Sequence, residues 1–340
     1  MRIAFRYDMR APVLGPESPA PRDLYRAALE QCAWAEERGF DAVYLAEHHG
    51  ADDGYCPSPV TLAAAVAGRT ARLELHFSAL ILPMHDPVRL AEDLAVLDLI
   101  AGPGRVHVYA GMGYRPHEYA MFGVDFADRV RVYETALDVL RRAWSGRPVM
   151  RDGQQITVTP MPATPGGPRL YVAGSARPSA RRAVRMGLGY RPVSEELYRY
   201  YVEEAARAGL PDPGPFPAHG PGFLHVTEDP ERDWPRLAPH LMHATNLYAQ
   251  WATERGRDGE NGYWRTNDGL EELKKDPSLW VVTPEECLRR CLALGTDWEL
   301  RFHPLLGGLP IELSWAGLEL FEAKVLPALA EAGRRPPAGK

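Results

Sequence analysis

Apolar residues recur along this chain in two alternating rhythms. Short extended runs at 2–7 (RIAFRY), 41–46 (DAVYLA), 72–81 (RLELHFSALI) and 104–111 (GRVHVYAG) read as strands. Between them the apolar spacing is that of one helical face. Leu24, Ala28, Cys32 and Ala35 share such a face, and Arg38 and Gly39 supply a cation and a glycine stop. In 85–102, Asp86 is placed to cap free N–H groups and Pro87 suits the first turn. Leu90, Leu94 and Leu97 face inward there, and Gly102 ends the helix. A later helix puts Val130, Tyr133, Leu137, Leu140 and Trp144 on one stripe.

The rhythm breaks at 147–168, where Asp152-Gly153 between short extended runs predicts a hairpin outside the main architecture. It resumes with a strand at 169–174, a helix around 178–187, a strand at 187–192 and a helix from 194. Strands at 222–227 and 298–304 complete about eight, most of them followed by helices. That order predicts an α/β fold, a closed parallel (β/α)8 TIM barrel forming one domain over 1–333. Two stretches read as mobile, the Pro/Gly-rich 208–222 and the polar 253–276. The second is a strand-to-helix insertion at the catalytic rim, suited to a lid and equally to a plain solvated excursion. Residues 334–340 read as a frayed tail.

Composition narrows the function classes. A formal net charge of −6 argues against coating a nucleic-acid duplex, which needs Lys and Arg to neutralise phosphates. No stretch approaches the roughly 20 apolar residues of a membrane span. The opening MRIAFRYDMRAPV lacks the apolar core of a signal peptide. Cys32, Cys56, Cys287 and Cys291 read as free thiols of a reducing compartment, so the expected location is the cytoplasm.

In a parallel barrel the strand C-termini mark the site. Four groups fall there: Glu47-His48-His49, Ser78-Ala79, Gly111-Met112-Gly113-Tyr114 and Gly174-Ser175-Ala176. Adjacent residues of an extended segment point to opposite sides, so His48 and His49 do not read as ligands of one metal, and no metal ligands are expected. They form either a packed, hydrogen-bonded pair or an acid–base histidine with structural neighbours. Both Gly-x-Gly turns, 111–113 and 187–189, have proline (Pro116, Pro192) where a dinucleotide fingerprint has its third glycine. Those glycines let backbone approach something flat or anionic, or simply make tight turns. After Gly174 a helix begins near Pro178. Its N–H groups, the Ser175 hydroxyl and Arg177 would suit a phosphate, the alternative being an unliganded helix start.

The same residues resemble the bacterial luciferase-like flavin monooxygenases, over most of the chain. The resemblance is carried by GFDAVYLAEHHG (39–50), PVRLAEDLAVLD (87–98), the GRV…GMGYRP…FGV run, VAGSARPSARRAVRMGLGY (172–190) and TPEECLRRCLALGTDWELRF (283–302). It implies an enzyme that takes FMNH2 from a separate reductase and, with O2 and through a peroxyflavin intermediate, oxidises a small organic substrate. His48 matches the acid–base residue beside the isoalloxazine, positioned by Glu47 and His49. Ser78 and Ala79 match the stretch that passes the ring, often through a non-prolyl cis bond. Gly111, Met112, Gly113 and Tyr114 match the turn lining the ring, and Gly174, Ser175, Ala176 and Arg177 the phosphate cradle. Met112 stands where some members carry arginine. This leaves open the deazaflavin F420 and a hydride-transfer reaction. A flavin-binding protein without catalysis and a metal-dependent hydrolase are the rival classes. The small residues of 61–68 (TLAAAVAG) permit close helix packing in an expected homodimer.

Overall fold

Strand and helix alternate through residues 1–253, 266 and 269–335, the part of the chain that the computed structural model describes. In chain order come β1 (Arg2–Tyr7), α1 (Pro21–Glu37), β2 (Ala42–Leu45), α2 (Pro59–Ala67), β3 (Glu74–Ile81), α3 (Pro87–Ala101), β4 (Val106–Gly111), α4 (Pro116–Met121) and α5 (Arg129–Trp144). Next are β5 (Val149–Arg151), β6 (Gln154–Ile156), β7 (Arg169–Gly174), α6 (Arg177–Met186), β8 (Gly189–Pro192) and α7 (Glu195–Arg207). The last stretch holds β9 (His219–Gly220), β10 (Phe223–Val226), α8 (Pro230–Thr253), α9 (Leu270–Leu273), β11 (Leu279–Val282), α10 (Pro284–Ala293), β12 (Glu299–Phe302), α11 (Ile311–Leu320) and α12 (Leu326–Glu331). Residues 254–265, 267 and 268, most of the expected insertion, lie outside the described residues, as do 336–340. Among the described residues no helix is long and apolar enough to cross a membrane.

The chain packs as two compact units, one of Met1–Val43, Ala51–Cys56 and the described part of Pro217–Lys340, the other of Tyr44–Gly50 and Pro57–Phe216. In the first, the strand order is β2-β1-β12-β9, with β10 and β11 as a separate pair. Phe5, Phe40, Phe302 and Phe321 fill its core, Phe302 and Phe321 meeting edge-on at 4.8 Å. In the second the order is β8-β7-β4-β3-β2, with β5–β6 as an antiparallel hairpin turning at Asp152-Gly153 as expected. The pairs β3–β4, β4–β7 and β7–β8 are all parallel. Asp86 caps α3, accepting from the Val88 and Arg89 amides at 3.0 Å.

Several elements depart from the sequence reading. The run 222–227 holds β10, which pairs with β11 and not with the main sheet. The strand beside β12 is β9, inside the Pro/Gly-rich stretch expected to be mobile. It stops after two residues because Pro221 has no N–H to continue the ladder. Val130, placed on the buried stripe of α5, is 41% exposed. Arg334 and Arg335, at the start of the expected frayed tail, donate to the Leu292 carbonyl and the Asp41 carboxylate.

The first unit also buries a cation. Arg10 is 0% exposed, with its guanidinium 4.6 Å from the Tyr55 ring and 4.7 Å from that of Tyr248. The carboxylates of Asp8 and Asp53 lie 3.5 and 3.7 Å from its Nε. Removing it takes the cation from buried Asp8 and leaves Asp53 to His243, whose Nε2 lies 2.8 Å from it. Arg10→Met is therefore expected to cost about 3–5 kcal/mol by urea unfolding, and a loss under ~1 kcal/mol would contradict this accounting.

Candidate active site

Parallel register carries the C-terminal ends of β3, β4, β7 and β8 to the same side of the second unit. Ile81 pairs with Gly111, Ala110 with Val172, and Gly174 with Pro192. Glu47-His48-His49 follows the end of β2 directly. Gly111 and Gly174 thus end neighbouring strands and Glu47-His48-His49 follows a strand of the same sheet, whereas Ser78-Ala79, expected at a strand end, lies inside β3 with Leu80 and Ile81 still paired beyond it.

At the centre, β3 and β4 come unusually close. The Ser78–Ala79 peptide is cis, and the register with β4 shifts between Ser78 and Leu80. A Cβ on Gly111 would stand 2.8 Å from the Ala79 Cβ, so only glycine fits there. Gly113 adopts φ +72°, and a Cβ on it would meet the Ile81 side chain at 2.7 Å. Together these glycines let the Ala79 and Ile81 side chains of β3 pack directly against the backbone at the end of β4.

Above them two buried carboxylates divide the histidines. His48 Nδ1 lies 2.7 Å from Glu118 Oε1, which also accepts from the His49 amide at 3.0 Å and from Arg115 at 3.4 Å. Glu47 serves a second group, accepting from His49 Nε2 at 3.0 Å, His85 Nε2 at 2.7 Å and the Ile81 amide at 2.5 Å. The adjacent imidazoles therefore engage different carboxylates, as extended geometry requires. Burial would raise both carboxyls. The hydrogen bonds from the histidines and backbone amides outweigh it and hold both below the ordinary glutamate range. Burial lowers His85, but Glu47 more than reverses this and its pKa ends raised.

An ionised Glu118 can only accept, so whenever the His48 ring is neutral its proton sits on Nδ1 and Nε2 is the acceptor nitrogen. That is the tautomer an acid–base group needs, fixed by a carboxylate behind it. The Tyr114 ring meets His48 edge-on at 5.6 Å.

Glu118, Arg115 and His85 were not singled out by sequence. Glu118 sits on α4, a six-residue helix that no periodicity predicts. Its one local signal is Pro116 in the first helical position with an acid in the first turn. Tyr119 locks the helix in place, buried against Ile81 and Met84 with its hydroxyl on the Met112 carbonyl. Glu118, expected of neither motif nor family, takes the role at His48 that sequence gave to Glu47.

The Gly174-Ser175-Ala176 turn opens α6. A Cβ on Gly174 would collide with the Ser179 side chain, and Ser175 and Ala176 are exposed. Arg177 does not reach back over this turn. Its guanidinium lies 5.0 Å over the Tyr200 ring and 3.9 Å from Glu196, both on α7.

A cis-linked strand, two glycines with no room for a Cβ and a carboxylate-held histidine thus belong to one parallel sheet of an α/β fold. Residues 10–301 match the family described as luciferase-like monooxygenase, and the chain belongs to that family. Over 124 residues it is 35% identical to 4-hydroxyprotoasukamycin monooxygenase of Streptomyces nodosus subsp. asukaensis, covering 36% of this chain and 33% of that protein. The matched stretches span between a third and a half of the first curated relatives' own lengths. Among solved structures it is similar to the oxygenating constituent of 3,6-diketocamphane monooxygenase of Pseudomonas putida, a type II Baeyer–Villiger monooxygenase in complex with FMN. There the TM-score is 0.72 at 18% identity, covering 96% of this chain and 98% of that one. It is also similar to an F420-dependent secondary alcohol dehydrogenase holding an F420–acetone adduct, with TM-score 0.65, 18% identity, and coverage of 97% and 99%. These likenesses establish the luciferase-like TIM-barrel fold.

Proposed function

We propose that the protein is a flavin-dependent monooxygenase that receives FMNH2 from a separate reductase and uses O2 to oxidise a small organic molecule. The observation that carries this reading is the Glu118-held His48 just past β2, in the sheet whose neighbouring strand β3 carries the cis Ser78–Ala79 peptide against Gly111. Gly111 leaves room for the Ala79 side chain, so the cis-linked stretch can keep the position against β4 from which it would meet a flat ring. Reduced FMN, when bound, supplies the electrons that activate O2. Ser78, Ala79, Gly111, Met112, Gly113 and Tyr114 would line its ring. Gly174, Ser175 and Ala176 would receive its phosphate at the α6 N-terminus, where N–H groups and the helix dipole favour an anion. His48 Nε2 would take up or return the proton that oxidation of the substrate requires, and Glu118 would hold the proton of the neutral ring on Nδ1. Glu47 would hold the backbone at Ile81, just past the Ser78–Ala79 turn, and Glu47 and His49 would support His48 at one remove.

F420-dependent hydride transfer is the second reading, favoured by one observation. With Met112 in the turn and Arg177 drawn to Tyr200 and Glu196, the phosphate cradle is weak in cations. Oxygen uptake with chemically reduced FMN and a panel of aldehydes, ketones and phenols tests the first reading. F420 reduction by secondary alcohols tests the second. Substrate-dependent oxygen uptake without F420 reduction is expected. Tight flavin binding with neither activity would favour a non-catalytic flavin carrier.

Helix α3 exposes Val96, Leu99 and Ile100 at 43%, 47% and 51%, an apolar i, i+3, i+4 stripe. A second copy of the chain would cover it, and the reading includes a homodimer. Light scattering is expected to report a dimer that Ile100→Glu converts to monomer. A wild-type monomer at micromolar concentration would refute this. The free cysteines, all buried, suit a reducing compartment, and the reading places the protein in the cytoplasm.

A further inference from the structure

We propose that Glu74, His76 and His107 form a metal site for a divalent transition ion, zinc by preference, in the second unit and with ligands other than the residues assigned to the flavin. The inference does not depend on the flavin reading. His76 and His107 are register partners on β3 and β4, and Glu74 is two residues before His76 on the same face of β3. Ser78 follows His76 by two residues on the same face, roughly 7 Å at extended spacing, so the ion site lies next to the cis turn, toward the N-terminal start of β3.

The observation that points to a ligand is His107. It is 4% exposed, yet neither ring nitrogen has a hydrogen-bond partner among the described residues. A buried polar group left unpaired costs about 1–3 kcal/mol, and here both nitrogens are left so. His76 is held the way metal-bound histidines are held. Its Nδ1 lies 2.7 Å from the Tyr109 hydroxyl, which directs Nε2 toward Glu74 Oε2 at 2.8 Å. His107 Nε2 is 3.9 Å from the same oxygen. The three ligand atoms lie within 4.8 Å of one another. Tetrahedral zinc sets its ligand atoms about 3.3 Å apart, so a tilt of one imidazole closes the set.

The surroundings suit a cation of this kind. The two imidazoles stack at 4.1 Å and 10°, and the Tyr171 ring lies parallel on the other side of His107 at 6.2 Å. Arg191 sits 4.2 Å over Tyr171, which places an aromatic ring between that guanidinium and the histidines. Arg169, the register partner of His107, is exposed, where solvent weakens its repulsion. Glu74 is 28% exposed and gives an ion its way in. One carboxylate and two imidazoles are a borderline ligand set that selects zinc over calcium or magnesium, with a water as fourth ligand.

The test uses untagged full-length protein, stripped with chelator, equilibrated with Zn2+ and desalted before elemental analysis. Wild type is expected to keep about one zinc per chain and to melt at higher temperature with zinc than without. Glu74→Gln preserves size and hydrogen bonding, and His107→Phe preserves the stack on Tyr171; both are expected to lose the ion and the thermal shift. Wild type that retains no zinc, or folded variants that retain as much as wild type, would overturn the proposal. Should His107→Phe fail to fold, Glu74→Gln decides alone.

Discussion

Glu118→Ala is expected to destabilise the protein by about 3–5 kcal/mol in urea unfolding, the range for breaking a buried ionic network from one side. The side chain is fully buried and accepts from His48, the His49 amide and Arg115. Alanine leaves all three without it. Glu118→Gln keeps an acceptor oxygen and should cost less, about 1–2 kcal/mol. The pH dependence gives the sign independently. Burial raises the Glu118 carboxyl, but His48, the His49 amide and Arg115 bring it below the 4.5 of a free glutamate. A group lowered in this way stabilises the fold above its unfolded pKa and loses that contribution as pH falls through the folded value. Wild type should therefore lose more stability than Glu118→Gln between about pH 5 and pH 3. Parallel curves for the two would show that the carboxylate does not carry the charge assigned to it.

His48→Asn is expected to lower substrate-dependent oxygen uptake by about 10²–10⁴-fold, the range of a positioned acid–base group. The asparagine amide can donate to Glu118 in place of Nδ1, so fold and flavin affinity should change little. What it lacks is a titrating nitrogen in the position of Nε2. The pH–rate profile should accordingly lose one limb, which a merely structural loss would not produce. Turnover within twofold of wild type would remove His48 from the chemistry.

Much of this arrangement was legible because it is local. Strand ends followed by EHH, GMGY and GSA are contiguous words that parallel topology alone sends to one side, and SA lies inside β3 near its end. The partners were not legible, because they are distant. Glu118 is 70 residues from His48 and sits on a helix too short to show a period. His85 lies 38 residues from the Glu47 it serves. Arg177 looked free to clamp a phosphate because its competitors Tyr200 and Glu196 belong to the next helix. The short strands β9 and β11 escaped for a different reason. At two and four residues they carry too few alternating positions to stand out from the loops around them. Glu74 and His76 did alternate with apolar Leu75 and Phe77 along β3, but polar residues on a strand usually mean solvent. Only the register with His107 shows that this face is interior.

Anaerobic titration with reduced FMN tests the central claim most directly, read by flavin absorbance for wild type and Gly111→Val. Saturable binding of one flavin per chain is predicted for wild type. The valine, forced against the Ala79 Cβ only 2.8 Å from its own, should weaken binding by about 100-fold or more. Absence of saturable binding to reduced FMN, oxidised FMN and F420 alike, or equal affinity in the valine variant, would contradict the site described.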